Sequence, residues 1–327
     1  LVVTLAVLNI SDRNVIQKMA FFLALAVLAQ SLLAFVQFFV KSFPSMDIIG
    51  IKTVKELFPG QKVHRAMGTL GHPNFLGYYL ELNLPIVLGL FLTSWTRTTK
   101  IIAGLALVLG TVALILSKSR GAWVAYPFAM MGAVFLTYGR SFFSKHVFVK
   151  AVGLFLLASL LVLFFLPSIV ERLVGKDYQA LSIRMPLNKA ALSIIAQHPF
   201  IGVGLNNFSE VFKSYDTTGH SLIFRGFKHV VHNMYLLVAT ETGIVGLLAF
   251  LGIFAVPFLR LFRSLVHCED LFLRSMIVGG TMGLWAHLIH GFADPGFIVS
   301  PTASQSIFFI IGFVGASYRI CRKQRAQ

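Results

Sequence analysis

Eight stretches of this chain, near residues 18–40, 73–94, 101–117, 121–138, 149–167, 239–259, 275–293 and 302–318, are apolar over the length needed to cross a lipid bilayer. Lipid offers no partner to a peptide N–H or C=O, so each stretch must bond its backbone within itself, as about 20 residues of α-helix can. That requirement leaves little choice, and the sequence predicts an all-α, polytopic membrane helix bundle. Composition agrees: 57% of the 327 residues are hydrophobic and 12% are charged, against about 25% charged in a soluble domain. The whole of 1–327 reads as a single membrane domain without internal repeats, interrupted by a long loop at 168–231 that holds short amphipathic helices. Residues 1–10 have the character of the tail of a further helix, and Leu1 stands in mid-run with neither Met nor a signal-peptide n-region before it. The expectation is therefore a fragment lacking N-terminal helices.

Lys and Arg in short loops favour the cytoplasmic side. The tail, with Arg319, Arg322, Lys323 and Arg325, is basic and is placed inside. Alternating backwards, the inner loops carry Arg260, Arg263 and Arg274, then Arg140, Lys145 and Lys150, then Arg97 and Lys100, and finally Arg13 and Lys18. Every short loop assigned to the inside is basic. Cys268 and Cys321 fall on this reducing side, so no disulfide is expected.

The outer side carries charge that orientation does not call for. Two long connections, about 41–72 and 168–231, face outward together with the tight turn from Ser117 to Gly121. They hold Lys41, Lys52, Lys55, Lys62, Arg65, Lys118, Arg120, Arg172, Lys176, Arg184, Lys189, Lys213, Arg225 and Lys228, half of the 28 Lys and Arg. Long loops tolerate such charge as solvated surface. A short turn between two membrane helices is different, and Lys118 and Arg120 read either as an anion site or as headgroup contacts. Net charge +16 admits nucleic acid in principle, but a membrane setting makes lipid phosphate or pyrophosphate the simpler anion, and no nucleic acid is expected. The outer acids Asp47, Glu56, Glu171, Asp177, Glu210, Asp216 and Asp294 are scattered, with no Asp-x-Asp pair, so neither a metal nor a cofactor is called for.

Residues 182–204 predict a short amphipathic helix against the outer membrane face. Ser182 is the expected N-cap and Pro186 lies in the first turn; Leu187, Ala191, Ile194 and Ile195 form the apolar stripe, and Pro199, Gly202 and Gly204 end it. Arg184 at its start either binds an anion or touches headgroups. Farther on, His232, Leu236, Ala239, Gly243 and Gly246 share one stripe at helical spacing, which puts His232 at the outer end of a closely packed seam. Glu241 falls on the opposite side of that helix, where it can pair with a loop cation. His287, His290 and Asp294 lie on one face of the 275–293 helix and compete with His232 for the role of base; a polar contact fixing the helix is the alternative. The element Gly71-His72-Pro73-Asn74 reads as the start of a membrane helix.

Four segments, in this order, resemble the O-antigen ligase and polymerase superfamily of membrane glycosyltransferases. They are Arg65-Ala-Met-Gly-Thr-Leu-Gly-His-Pro-Asn-Phe-Leu-Gly-Tyr; Ser119-Arg120-Gly121-Ala122; Arg184 through His198-Pro199 and Gly202-Val-Gly204; and His232-Asn233 with Glu241 and Gly243. The resemblance covers about residues 60–260. It implies a fold of the membrane-embedded C type of glycosyltransferase in a bacterial cytoplasmic membrane, with its active face outward. The implied reaction moves a glycan from undecaprenyl pyrophosphate to a sugar or lipid-linked acceptor. By resemblance, Arg65, Arg120 and Arg184, with Lys118, hold the pyrophosphate, and His232 serves the acceptor hydroxyl; Asn74, Asn233, Glu241, His290 and Asp294 are further candidates. One position departs from the family pattern, since Asn188 stands where an aromatic often follows the loop arginine. The chemistry suits these residue types. Negative charge develops on a departing pyrophosphate, guanidinium groups bind phosphate oxygens in a fork, and imidazole takes a proton near neutral pH. A polymerase of the same superfamily and a carrier of small anions are the alternatives; a carrier would hold its polar groups at mid-membrane in broken helices.

Overall fold

The computed structural model describes residues 2–39, 65–93, 96–139, 178–219 and 230–326. Among the described residues, seven helices are long and apolar enough to cross a membrane. They are α2 (Arg13–Phe39), α3 (Pro73–Thr93), α4 (Arg97–Leu116), α5 (Arg120–Tyr138), α8 (Met234–His267), α9 (Leu271–His290) and α11 (Pro301–Ala326). Shorter helices α1 (Val2–Leu8), α6 (Tyr178–Gln197), α7 (Phe208–Tyr215) and α10 (Gly296–Val299) complete the set. The expected span at 149–167 lies outside the described residues, as do Arg140, Lys145 and Lys150 and the loop cations Lys41, Lys52, Lys55, Lys62, Arg172, Lys176, Arg225 and Lys228.

Local chemistry fixes where these helices start. Pro73 opens α3, where the missing N–H of proline costs no hydrogen bond, and the next amide, that of Asn74, donates to His72 Nδ1 at 3.1 Å. Asn233 caps α8 by accepting from the amides of Tyr235 and Leu236, each at 3.0 Å. Asp270 caps α9 in the same way. These caps satisfy amides that have no partner inside the helix.

The bundle is arranged around α3 and α9. In each of them 78% of the spanning window is buried, against 28% for α2 and α5 and 22% for α8. Backbone meets backbone along this central seam: Gly279 lies on the Pro85 carbonyl and Gly283 on the Leu82 carbonyl, where any Cβ would collide. Small residues allow such close approach in membranes, where packing rather than water drives helix association.

The helices alternate between two ends. At one end Arg13 pairs with Asp270 at 2.6 Å, Arg274 donates to the Thr137 carbonyl at 2.8 Å and Arg319 to the Ile10 carbonyl at 2.7 Å. This is the basic end, holding the short Lys- and Arg-bearing connections. Cys268 and Cys321 are bonded to one another there, their Cα atoms 5.7 Å apart. That corrects the expectation of no disulfide: compartment argues about redox state, but it says nothing of the meeting of the end of α8 with the last turns of α11.

At the opposite end α6, α7 and the start of α8 build a small second core. Leu187, Ala191 and Ile194 of α6 bury against Phe208, Phe212, Val231 and Leu237. The apolar stripe of α6 thus faces protein rather than lipid. The helix also begins earlier than expected, so Ser182 lies inside it and is not its N-cap, and Pro186 is an interior proline. Its ring removes the N–H that the Ser182 carbonyl would have received.

Candidate functional site

A cavity of about 290 Å³ opens at this second end, between the starts of α3, α5 and α8 and the end of α9. Arg65, Lys118, Arg120 and Arg184 line it, together with His72, Asn74, His232, His290 and Asp294. Phe75, Val230 and Val299 supply apolar wall. Residues as far as 234 positions apart in sequence, Arg65 and Val299, are thereby assembled around one space.

The turn joining α4 to α5 forms the cationic side. Lys118 takes a left-handed backbone, φ 50°, and is 4% exposed, with its ammonium 6.0 Å from the centre of the Phe38 ring. A lysine so enclosed is not splayed toward headgroups. Arg65 reaches the same turn, donating from Nε to the Ser117 carbonyl at 2.8 Å. Its other arm begins a chain: Nη2 donates to Asn74 Oδ1 at 2.6 Å, and Asn74 Nδ2 donates to Asp294 Oδ2 at 2.8 Å.

Asp294 lies close to His232, with Nδ1 of the ring 3.7 Å from Oδ2. Burial pushes the Asp294 carboxyl up, but the His232 and Tyr78 side chains and the His290 ring more than offset this and hold it well below the usual carboxylate range. It is therefore an anion at neutral pH. With Nδ1 turned to this carboxylate, the other ring nitrogen of His232 is left for a ligand. His72 is the opposite case. Burial and the Arg65 charge lower its pKa from 6.5 to about 4, consistent with a neutral ring whose Nδ1 accepts the Asn74 amide.

Arg184 is brought to the cavity by an unusual joint. Residue 243 interrupts α8 with φ 66° and ψ −171°, a region open essentially to glycine. The break frees carbonyls and amides of α8, and the turn after α6 occupies them. Val203 and Gly204 amides donate to the Thr240 and Glu241 carbonyls at 3.0 and 2.9 Å, and the Ile244 amide donates to the Pro199 carbonyl at 2.8 Å. A Cβ on residue 243 would strike the Phe200 carbonyl. Gly243 and the pair Gly202 and Gly204 thus serve one joint, which ties α6 and its arginine to the bundle.

Among the candidate residues, the cavity gathers Arg65, Asn74, Lys118, Arg120, Arg184, His232, His290 and Asp294. Asn233 and Glu241 are not in its lining. Asn233 is the cap of α8, and among the described residues Glu241 Oε1 accepts from the amide of Phe208 at the start of α7, at 3.4 Å. His232 precedes that cap, so it is not on the α8 helix, and the expected stripe through Gly243 is broken by the kink. Glu81 was not anticipated. It is wholly buried in α3 and meets both His287 and His290. An acid in the middle of an apolar run was a signal available from sequence alone.

Residues 105–251 match the family model Wzy_C, described as O-antigen ligase. That stretch takes in Lys118, Arg120, Arg184 and His232 and stops before His290 and Asp294. No curated protein matches the chain.

Proposed function

We propose, from the match of residues 105–251 to a family model described as O-antigen ligase, that the cavity transfers a glycan from undecaprenyl pyrophosphate to a sugar hydroxyl, as a ligase. One observation carries this reading: a His–carboxylate pair and four cationic side chains line the same cavity.

The acceptor hydroxyl attacks the anomeric carbon of the donor sugar. As the new C–O bond forms, His232 takes the hydroxyl proton and Asp294 stabilises the imidazolium that results. The bond from the anomeric carbon to the pyrophosphate breaks, and the leaving oxygens gain negative charge. Arg65, Lys118, Arg120 and Arg184 meet that charge with donors already in place, which costs no reorganisation at the moment of reaction. Arg65 is held by Ser117 and Asn74, so its charge is preorganised. The basic end is assigned to the cytoplasm and the cavity to the outer face, following the charge of the short loops.

Glycan transfer in liposomes tests the proposal, with undecaprenyl-pyrophosphate oligosaccharide as donor and either a lipid A–core sugar or a second lipid-linked glycan as acceptor. Wild type forms product, while Arg184→Ala and His232→Ala lose it by roughly 100-fold or more. Product on the lipid A–core acceptor marks a ligase, and product on the lipid-linked acceptor marks a polymerase. No product with either, from folded protein, would sink the reading.

A further inference from the structure

Beneath the cavity lies a group of side chains that the proposed transfer does not use. Glu81 of α3 is fully buried, and so is His287; His290 is 2% exposed. Glu81 Oε2 lies 2.8 Å from His290 Nδ1, and Oε1 lies 3.5 Å from His287 Nδ1. The Tyr78 ring closes the group, its centre 4.2 Å from that of His290 and 5.0 Å from that of His287. A carboxylate buried at this depth is costly without a cationic or donor partner, and the two imidazoles are its partners.

What this does to His290 follows from the two nitrogens of its ring. Nδ1 carries its proton toward Glu81, so the other nitrogen faces away from the carboxylate. Nε2 lies 3.3 Å from Ser119 Oγ, and His290 is part of the cavity lining. The ring rests on the first turn of α5, where Gly121 leaves room: a Cβ there would overlap His290 Cδ2 and Nε2. The imidazole is therefore clamped between a carboxylate behind and the Ser119–Arg120–Gly121 turn in front. In the imidazolium form both ring nitrogens are donors, and Nε2–H is then the one on the cavity side.

We propose that Glu81 is a positioning residue that orients His290 so that Nε2–H, beside the Ser119 hydroxyl, donates a hydrogen bond to the pyrophosphate of the donor. This rests on the reading of the cavity as a lipid-pyrophosphate site and adds a donor that the arginines do not supply. Glu81 acts only through His290, and this sets the test.

Affinity for inorganic pyrophosphate is measured on the purified full chain in nanodiscs, with donor and acceptor KM and kcat measured alongside. Glu81→Gln keeps the size and a carbonyl for Nδ1–H but removes the charge; His290→Asn removes the donor. Each weakens pyrophosphate binding roughly tenfold, the worth of one charge-assisted hydrogen bond. Donor KM rises, and acceptor KM stays as in wild type. The double variant is no weaker than His290→Asn alone, because the two residues form one unit. Multiplying losses, or wild-type pyrophosphate affinity in folded Glu81→Gln, overturns the proposal. Should Glu81→Gln fail to fold, Gly121→Ala displaces the same ring without touching a charge: a tenfold loss sustains the proposal and unchanged affinity overturns it. Arg120→Ala and Arg184→Ala separate the two levels. If they lose affinity while Glu81→Gln does not, only this inference falls; if neither they nor wild type respond to pyrophosphate, the site reading falls with it.

Discussion

Burial and the neighbouring Arg65 charge keep His72 neutral down to about pH 4 in the folded protein, whereas the same ring takes its proton near 6.5 when unfolded. Acid between those values favours the unfolded chain, so the stability that His72 contributes is present above about pH 6.5 and is lost as pH falls toward 4. The loss is on the order of 1–3 kcal/mol after solvent screening. Thermal melting in detergent checks it: the decline between those pH values flattens in His72→Asn, which keeps an acceptor for the Asn74 amide. Asp294 acts in a lower window, since its depressed pKa contributes stability above its unfolded value of 3.8 that is lost only in stronger acid. Charge geometry governs a second prediction, that Arg184→Lys loses most of its transfer activity, because a point charge does not reproduce the guanidinium fork; full activity in that variant rules the fork out. Part of the cavity was legible as single residues: Lys118 and Arg120 as charge in a short outer turn, Arg184 and His232 by their places at the starts of helical segments, and Arg65 only through the family resemblance. Glu81 stands apart from the loop acids, and the cost of an acid in a membrane helix is the signal that marks it.

Helix positions followed directly from apolar length, and each expected span among the described residues has its helix. Breaks and joints did not. Nothing in the period of residues 232–246 announces that α8 is interrupted at Gly243, because apolar residues continue on both sides and the cause is backbone pairing with a turn some 40 residues earlier in sequence. The same holds for α6, whose apolar stripe was correctly placed but assigned to lipid, when its partners Phe208 and Phe212 come from the next helix. Gly243→Ala tests the joint. It forces a side chain into a glycine-only backbone region and against the Phe200 carbonyl, at a cost of about 1–3 kcal/mol in strain alone. The expected outcome is faster proteolysis of the segment after α6 and a loss of transfer comparable to that of Arg184→Ala, while the spanning helices keep their far-UV signature. An unchanged proteolytic pattern would mean that the joint does not hold the arginine.

Two ends of unlike chemistry define the whole molecule, one basic and cross-linked, the other bearing the cavity. The pair Cys268 and Cys321 makes orientation measurable, because thiols facing the cytoplasm are kept reduced. The structure holds the two bonded; with the basic end inside, the reducing cytoplasm opens that bond, and alkylation after acid quenching of intact cells finds both thiols free, whereas a bond that persists in cells would reverse the assignment. The central seam also bears on the anion-carrier alternative. A carrier alternates by letting two halves of its bundle rock apart around a fixed site. In this chain the two central helices are α3 and α9, whose backbones touch at Gly279 and Gly283 and whose side chains share the Glu81–His290 contact, so a rocking motion that parted them would open that line. Opening that line would strip a carboxylate of its partners inside the bundle. Along the line between α3 and α9 the described residues are packed shut, so a route from the cavity to the basic end would have to run elsewhere.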